Sequence, residues 1–462
     1  MSISHYINTA ALPNRYHFIG IGGIGMSALA QILLQKGISV SGSDVAPSYI
    51  TDALQKLGAK IYFEHAENNI DEPMVIVYNS MITEDNPEMR AGKRRGCPLW
   101  HRSDLLYDLM HKDASLLVTG THGKTTTSAL LAHVLVEANL HPSFAIGGMI
   151  KSLGCNGNYG MGPYFVAEAD ESDGSFLKYN PFGSIITNID EDHFDYWKTK
   201  EKLIAGFAQY ASRVSSPEHL FWCGDDDVLH SLHLKGIKYG FDEGNDLRVV
   251  SFRQNGWKNL FDVQFEKKHY PDIEIPLIGG HNVLNAAACF GLAIRLNISE
   301  KNIRNAFASF QGVGRRADFK GECKSISAYD DYAHHPTEIF STLRAIKLAI
   351  DKRRLVVAFQ PHRFTRTRDC FAEFGPAFSA ADLVILTDIF SAGEKPIEGI
   401  NAPLLLKKIQ ESCQADVRYS KRADLVPCIR SLLKQNDVLV TMGAGDITKI
   451  GPEVLSELMG NA

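Results

Sequence analysis

The chain has 462 residues, of which 45% are hydrophobic and 22% charged, with a formal net charge of −5 at pH 7. This composition predicts roughly two to four soluble globular domains, and it argues against a broad nucleic-acid surface, which needs clustered Lys and Arg. The eight cysteines form no C-x-x-C pair, which predicts reduced thiols in a cytoplasmic protein. No signal peptide or membrane-spanning run is expected.

The N-terminal segment predicts a strand, a glycine-rich turn and a helix. Tyr16–Ile19 predicts a short strand, and apolar side chains from Met26 to Leu34 recur with helical spacing. The turn between them has the pattern G-x-G-x-x-G at 20–25, and Asp44 follows a second apolar run. This arrangement is typical of a loop that holds a diphosphate at a helix N-terminus. A tight turn without a ligand and an NAD-dependent oxidoreductase remain alternatives at this point.

A second α/β unit begins at Leu116–Val118. It continues through the loop 120–126, with the sequence Gly-Thr-His-Gly-Lys-Thr-Thr, into a helix with apolar side chains from Leu130 to Leu135. Such a loop predicts ATP binding, with Lys124 on the phosphates and the Thr125 hydroxyl on Mg²⁺. A Walker pattern would place glycine where Val118 stands, so a structural turn rich in Gly and Thr is the alternative.

Carboxylates follow the next two predicted strands. Glu168 comes directly after an apolar strand, and a second strand ends shortly before Asp192 and His193. Because parallel strands end at one edge of a sheet, these side chains are expected beside the phosphate loop, where oxygen ligands suit Mg²⁺. The acidic residues after Glu168 are Asp170, Glu171 and Asp173, for which a solvated acidic loop is the alternative, because charged residues are mostly exposed.

A third unit is predicted from three buried-type strands, Leu355–Phe359, Leu383–Leu386 and Val438–Val440. Domain boundaries are expected near His111–Ala114 and in a Gly- and charge-rich linker at Arg315–Cys323. The fold class is therefore α/β throughout.

Several long blocks occur in an order that resembles the Mur ligase family over nearly the whole chain. The blocks are GIGGIGMS (20–27), GTHGKTTT (120–127), VAEADESDGSFL (166–177), TNIDEDHFD (187–195), GGHNVLNAAA (279–288), GVGRR (312–316), DDYAHHPTEI (330–339), FQPHRFTRT (359–367) and MGAGDI (442–447).

The resemblance implies three domains. These are a Rossmann-like UDP-sugar domain at 1–112, a central P-loop-like ATPase domain at 113–316, and a C-terminal Rossmann-like domain at 317–462 that closes on ATP and the amino acid. The first glycine loop would then hold a UDP diphosphate instead of NAD. The implied UDP-sugar residues are Gly20, Gly22, Gly23, Ile24, Gly25, Asp44 and Ser80.

The resemblance also implies roles for residues in the two later domains. ATP would be bound by Gly120, Thr121, His122, Gly123, Lys124, Thr125, Thr126, His281, Asn282, Asn285 and Asp331. The amino acid would be bound by Tyr332, His334, His362 and Arg366, and metal ions by Thr125, Glu168 and His193. The residues implied in catalysis are Lys124, His193, His334 and Arg366.

The implied activity is ATP- and Mg²⁺-dependent ligation of L-alanine to UDP-N-acetylmuramic acid in peptidoglycan synthesis. Small molecules are the expected partners, without nucleic acid or membrane, in a monomer or homodimer. Alternatives are ligation of a whole tripeptide to the same sugar nucleotide, a Rossmann oxidoreductase, and a non-catalytic nucleotide-binding scaffold. L-serine or glycine as acceptor also stays open.

The sequence departs from the family pattern at two places in the first domain. His65 follows Glu64 where the family usually has Gly-His, and Asn79-Ser80-Met81-Ile82 replaces Ser-Ser-Ala-Ile. This departure argues against a UDP-sugar role for His65. Of the adjacent His334 and His335, only one is expected to contact substrate, because neighbouring side chains in an extended segment point apart.

Overall fold

The computed structural model of the chain describes residues 14–71 and 73–460. Within them the chain forms two compact units. The first comprises the described residues up to Lys238 together with Ala288–Ala306, and the second comprises Tyr239–Ala287 together with the described residues from Phe307 onward. No helix in the described ranges is long and apolar enough to span a bilayer.

The first unit begins with a five-stranded parallel sheet in the order β3-β2-β1-β4-β5. Its strands are β1 (Arg15–Ile19), β2 (Ser39–Ser43), β3 (Lys60–Tyr62), β4 (Val75–Tyr78) and β5 (Leu99–His101). Its helices are α1 (Ile24–Gln35), α2 (Tyr49–Lys56), α3 (Pro87–Arg95) and α4 (Arg102–Met110). The strand order reverses at β1, and such switch points open a crevice at the carboxyl ends of the strands.

The predicted strand, turn and helix at the N-terminus are confirmed. β1 is buried from Tyr16 onward, and the face of α1 that includes Met26, Leu29 and Leu33 is buried. Gly37 follows the helix with φ of +75°, a left-handed conformation that ends helices and favours glycine. Among the described residues no side chain caps the first turn of α1, so its amides can bind an anion.

A second sheet of the first unit has the strand order β11-β10-β6-β9-β7-β8. Its strands are β6 (Ala114–Thr119), β7 (Ser143–Ile150), β8 (Cys155–Asn158), β9 (Tyr164–Glu168), β10 (Gly183–Ile186) and β11 (Leu220–Cys223). The helices are α5 (Lys124–Glu137), α6 (Phe194–Trp197), α7 (Lys200–Ala211) and α8 (Asp227–Ser231). β6 pairs in parallel with both β9 and β10, so their carboxyl ends meet beside the phosphate loop, as predicted.

The chain enters the second unit in β12 (Ile237–Gly240). This strand pairs in parallel with β13, which belongs to an antiparallel meander. The meander consists of β13 (Leu247–Asn255), β14 (Lys258–Phe265) and β15 (Lys268–Ile275). Helices α9 (Gly280–Arg295) and α10 (Glu300–Ser309) follow in the chain.

The rest of the second unit contains a six-stranded sheet in the order β16-β17-β21-β18-β19-β20. Its strands are β16 (Asp318–Cys323), β17 (Ile326–Asp331), β18 (Leu355–Phe359), β19 (Leu383–Leu386), β20 (Asp416–Tyr419) and β21 (Val438–Met442). Its helices are α11 (Pro336–Ala349), α12 (Phe364–Asp369), α13 (Phe374–Ala377), α14 (Ala402–Ser412), α15 (Leu425–Leu432) and α16 (Ile450–Gly460). The three strands predicted for this region are confirmed.

Both faces of this last sheet are covered. Leu355 and Val357 belong to one buried apolar cluster, whereas Val356 and Ala358 belong to another, as the alternation of side chains along a strand requires. One expectation is corrected: Arg315–Cys323, predicted to be a linker, contains strand β16, which pairs antiparallel with β17. The eight cysteines, all within the described residues, are free thiols.

Candidate active site

The first glycine loop joins β1 to α1 and is held by the end of β2. The amides of Gly20 and Ile21 donate to the Ser43 carbonyl at 2.9 and 3.0 Å, and Gly22 donates to an Asp44 carboxylate oxygen at 2.8 Å. A Cβ at Gly22 would lie 2.8 Å from that oxygen, so a larger residue there would displace the Asp44 carboxylate. The structure therefore brings Asp44 together with the predicted loop residues Gly20, Gly22, Gly23, Ile24 and Gly25.

Asp44 already has two backbone partners in this arrangement. Its second oxygen accepts from the Val45 amide at 2.8 Å, while the first accepts from Gly22. The carboxylate therefore closes the loop onto the end of β2. A contact between Asp44 and the ligand's ribose stays a prediction.

The acidic run after β9 contacts the same edge of the first sheet. The Ser80 hydroxyl, just beyond β4, donates to Asp173 at 3.0 Å, and Arg102 Nη2 donates to Asp170 Oδ2 at 2.5 Å. The other terminal nitrogen of Arg102 lies 3.6 Å from where a Cβ on Gly25 would stand. Arg102 therefore lies between the first glycine loop and the acidic run.

The phosphate loop joins β6 to α5 and contains two left-handed glycines. Gly120 has φ of +128° and Gly123 has φ of +85°, and a Cβ on Gly120 would overlap the Thr187 hydroxyl. The His122 amide donates to Asn188 Oδ1 at 2.9 Å. Residues at the end of β10 thus fix the loop, which contains the predicted ATP-binding residues Gly120, Thr121, His122, Gly123, Lys124, Thr125 and Thr126.

Lys124 is paired with a carboxylate that has no exposed surface. Its ammonium donates to the two Glu171 oxygens at 2.9 and 2.8 Å and to the Gly120 carbonyl at 2.6 Å. Burial alone would lower the pKa of Lys124, but attraction to Glu171 and Asp170 outweighs it and raises that pKa. Lys124 is therefore a fixed cation at the mouth of the phosphate loop, and an arriving phosphate would compete with Glu171 for it.

The predicted metal ligands lie on three elements around this loop. The Thr125 hydroxyl donates to Glu168 Oε2 at 3.1 Å, and the other Glu168 oxygen accepts from the Gly147 amide at 2.5 Å. His193, which precedes α6, places Nε2 3.6 Å from Glu171 Oε1. Thr125 and Glu168 are thus brought together, whereas His193 contacts the partner of Lys124.

In the second unit the residues predicted for the adenine side begin α9. The Asn282 side chain donates to the Ile278 carbonyl at 2.8 Å, and Asn285 donates to Asn282 Oδ1 at 3.3 Å. His281 has exposed surface, whereas Asn285 is buried. The two amides form one hydrogen-bonded row, and their adenine role stays a prediction.

Asp331 ends β17 and lies almost completely buried. Its two oxygens accept from the amides of Ala317 and Ala333 at 2.6 and 2.8 Å. Burial raises the pKa of Asp331 to about 6, against the attraction of Arg316. This carboxylate therefore fixes the turn that contains Tyr332, over whose ring the Arg316 guanidinium lies at 5.2 Å.

Two imidazoles and a guanidinium form the predicted amino-acid cluster. The His334 and His362 rings are 5.5 Å apart, and Arg366 Nη1 lies 3.5 Å from His362 Nδ1. Burial, with Arg366 adding to it, lowers the pKa of His334 to about 3 and that of His362 to about 4. Both rings are therefore neutral at pH 7, so His334 would be a weak base.

His334 and His335 do point to different partners. The His334 ring contacts the Tyr332 carbonyl at 2.9 Å, whereas His335 caps α11 by accepting from the Thr337 amide at 3.4 Å. The backbone alternates the two side chains, so only His334 joins the cluster with His362.

Three family models match the chain in succession. The catalytic-domain model of the Mur ligase family matches residues 15–113, the Mur ligase middle domain matches 118–293, and the Mur ligase glutamate ligase domain matches 315–445. A UDP-N-acetylmuramate–L-alanine ligase of Protochlamydia amoebophila is 50% identical over 97% of this chain and 99% of its own. The chain belongs to the Mur ligase family.

Other Mur ligases resemble the chain in sequence and in structure. The bifunctional enzyme MurC/Ddl of Chlamydia trachomatis is 43% identical over 95% of this chain, which covers 54% of that enzyme. The crystal structure of UDP-N-acetylmuramate-alanine ligase from Thermotoga maritima superimposes with a TM-score of 0.85 at 27% identity, covering 97% of this chain and 100% of that one. A murein peptide ligase of Psychrobacter arcticus, with a TM-score of 0.72 at 22% identity over 97% and 99% of the two chains, shares the fold.

In this Mur ligase the sequence patterns did not predict two residues that contact the candidate site. Glu171 and Arg102 were not among the predicted site residues, yet Glu171 binds Lys124 and Arg102 binds Asp170. Although burial opposes it, Arg102 and Lys124 hold the pKa of Asp170 well below its usual range. The position of Glu171 in the sequence could have indicated its role. It follows strand β9, which pairs with β6, and β6 leads into the phosphate loop.

Proposed function

We propose that this Mur ligase joins L-alanine to the lactyl carboxylate of UDP-N-acetylmuramic acid, using ATP, in cytoplasmic synthesis of peptidoglycan precursors. The observation that carries the proposal is the likeness to the Protochlamydia ligase over nearly the full length of both chains. The arrangement of Lys124 in a phosphate loop supports the use of ATP.

A carboxylate and an amine need activation before they condense in water. In the proposed reaction a lactyl carboxylate oxygen attacks the γ-phosphorus, its bond to the β,γ-bridging oxygen breaks, and ADP leaves. The amine of alanine then attacks the acyl carbon of the resulting acyl phosphate, the C–O bond breaks, and inorganic phosphate leaves with the excess proton passing to a base. The protein contributes mainly positioning and charge neutralisation.

The roles of individual residues follow from their charge and burial. We assign Lys124 to the transferred phosphate, because its ammonium is held at the loop by carbonyls and Glu171. Tyr332, His334, His362 and Arg366 are assigned to the amino acid. Arg366 offers a positive charge beside His362, and neutral His334 can accept a hydrogen bond from an ammonium.

Residues beside the phosphate loop fit a divalent cation. Thr125 and Glu168 present hard oxygen atoms within 3.1 Å of each other, which is the chemistry Mg²⁺ prefers. When bound, Mg²⁺ supplies charge neutralisation for the phosphates. His193 is a weaker candidate, because nitrogen is a less usual ligand for Mg²⁺. The limits 1–112, 113–316 and 317–462 remain our proposed domain limits.

The substrate requirement tests this proposal. We expect phosphate release from ATP only when UDP-N-acetylmuramic acid and L-alanine are both present with Mg²⁺, because each step consumes one of them. Equal phosphate release without either co-substrate would indicate a simple ATPase. A change in NADH fluorescence on mixing would instead favour the oxidoreductase.

A further inference from the structure

Glu88 is a completely buried carboxylate in the first turn of α3. It lies outside the glycine loops and outside every residue assigned so far. A buried charge is costly unless hydrogen bonds compensate it, so the four side chains that surround Glu88 explain how it is tolerated there. They also link α3 to the strand ends that hold the first glycine loop.

Each Glu88 oxygen contacts two of these side chains. Oε2 accepts from the Ser43 hydroxyl at 2.6 Å and lies 3.1 Å from His65 Nδ1. Oε1 accepts from the Asn69 amide at 2.6 Å and lies 3.3 Å from His17 Nε2. A carboxylate has about four acceptor sites, and all four are used. Burial opposes the charge, but hydrogen bonds from His17, Ser43 and Asn69 outweigh it and lower the pKa of Glu88.

Ser43 connects this cluster to the first glycine loop. Its hydroxyl binds Glu88, while its carbonyl accepts the amides of Gly20 and Ile21. The next residue, Asp44, accepts the Gly22 amide. The position of the loop backbone therefore depends on where Ser43 is held.

His65 is the second connection. It follows β3, its Nδ1 lies 2.9 Å from the Ser43 hydroxyl and 3.1 Å from Glu88, and 23% of its side chain is exposed. Ser43 and His65 thus stand side by side at the carboxyl ends of β2 and β3, where ligands bind in sheets of this kind.

We propose that Glu88 is a positioning residue of the UDP-sugar site, which fixes the first glycine loop through Ser43, with His65 contacting both Ser43 and Glu88. The inference rests on the proposed function, because it presumes that this loop takes a UDP-sugar. Glu88 does not touch the ligand. It holds the loop amides in the geometry that receives a diphosphate, so its loss should affect one substrate and spare the other.

Glu88→Gln is the sharpest substitution, since it preserves shape and removes charge. Whichever way the new amide turns, its NH₂ group faces two side chains that donate to Glu88: either Ser43 and His65, or Asn69 and His17. We expect the dissociation constant for UDP-N-acetylmuramic acid to rise about 10- to 100-fold, the usual effect of losing charged hydrogen bonds. The dissociation constant for ATP should change less than about twofold.

A matched control is Asp437→Asn. Asp437 is also a buried carboxylate, but it pairs with Arg354 in the last sheet, far along the chain from the first glycine loop. This variant should lower the thermal midpoint and leave UDP-sugar affinity unchanged. Ser43→Ala is the second test, because it removes only the hydroxyl between Glu88 and the loop. It should raise the UDP-sugar dissociation constant about tenfold.

Calorimetry with each substrate separates the outcomes. Folded Glu88→Gln with unchanged UDP-sugar affinity overturns the proposal, and so does equal loss of affinity for both substrates. If Glu88→Gln does not fold, the Ser43→Ala result decides: unchanged affinity overturns the proposal. A wild-type protein that binds no UDP-sugar would contradict the proposed function instead.

Discussion

At the scale of single residues, the phosphate loop depends on one ammonium. Lys124 is held by Glu171 and by two loop carbonyls, so it is in place before a phosphate arrives. Lys124→Ala is therefore expected to lower the ligation rate by about 10²-fold or more, the usual effect of removing a preorganised charge. Steady-state rates of ADP formation measure this.

The matched control is Lys235→Ala, which removes an exposed ammonium from the same unit. Its ligation rate should equal that of the wild type. Near-normal turnover in a folded Lys124→Ala variant would remove Lys124 from the reaction.

The two neutral imidazoles make stability depend on pH. Because burial lowers the pKa of His334 to about 3 and that of His362 to about 4, the unfolded chain binds protons below about pH 6.5 that the native protein does not. The contribution of these two histidines to the free energy of unfolding is therefore fully present above about pH 6.5, and it is lost as pH decreases towards 4.

The melting temperature of the wild type should fall between about pH 7.5 and pH 5. In His362→Asn we expect this fall to be smaller by roughly 2–4 °C. Differential scanning calorimetry at the two pH values measures the difference. His269→Asn, at a mostly exposed histidine, should keep the wild-type loss. An identical loss in His362→Asn would mean that His362 titrates normally in the native protein.

Residue types alone could not separate Glu171 from its neighbours. In the run from Glu168 to Asp173 every carboxylate has the same chemistry. The sequence does not show which of them becomes buried in the folded protein. In the structure Glu171 is fully buried against Lys124, while Asp173 remains partly exposed and binds Ser80. Burial depends on tertiary packing around β9, which a local pattern does not encode.

At the scale of elements, the β6–α5 turn requires glycine at one end. Gly120 has φ of +128°, and a Cβ there would overlap Thr187, whereas Gly154 has φ of +69° with open space around it. The left-handed backbone at both positions disfavours an L side chain. Only at Gly120 would a Cβ also collide with Thr187.

Gly120→Ala is therefore expected to weaken ATP binding by about tenfold or more, because the loop must move away from β10. Gly154→Ala should lower the melting temperature slightly and leave ATP binding intact. Calorimetric titration with ATP decides between them. Equal ATP affinity in the two variants would show that the loop tolerates displacement.

Helices and strands with a clear apolar pattern could be predicted from the sequence. Strands that form mainly because they pair with a neighbouring strand could not. The β1–α1 and β6–α5 units follow from apolar periodicity and glycine turns. In the meander, strands β13 and β15 are largely exposed and their buried positions do not alternate regularly, so no clear apolar pattern marks them. The Gly and charged residues of 315–323 predict a linker, whereas the structure forms strand β16 there. This strand lies at the edge of the sheet and pairs with β17 alone, so it needs no continuous apolar run.

At the scale of the whole molecule, we propose that two separate sequence blocks of the chain bind two different substrates. The first glycine loop suits one diphosphate, and the phosphate loop with Lys124 suits another. A single-substrate ATPase would need only the second, and an NAD-dependent oxidoreductase only the first. A ligase uses both, which agrees with membership of the Mur ligase family.

Identification of the ligation product is the most direct measurement of this activity. The wild-type protein is incubated with ATP, Mg²⁺ and UDP-N-acetylmuramic acid, together with L-alanine, L-serine, glycine or a cell-wall tripeptide in separate reactions, and the products are weighed by mass spectrometry. We predict a product equal to the sugar nucleotide plus alanine minus water, formed fastest with L-alanine and matched by equal amounts of ADP and phosphate. Absence of that product while the tripeptide is joined, or while ATP is merely hydrolysed, would contradict the assignment.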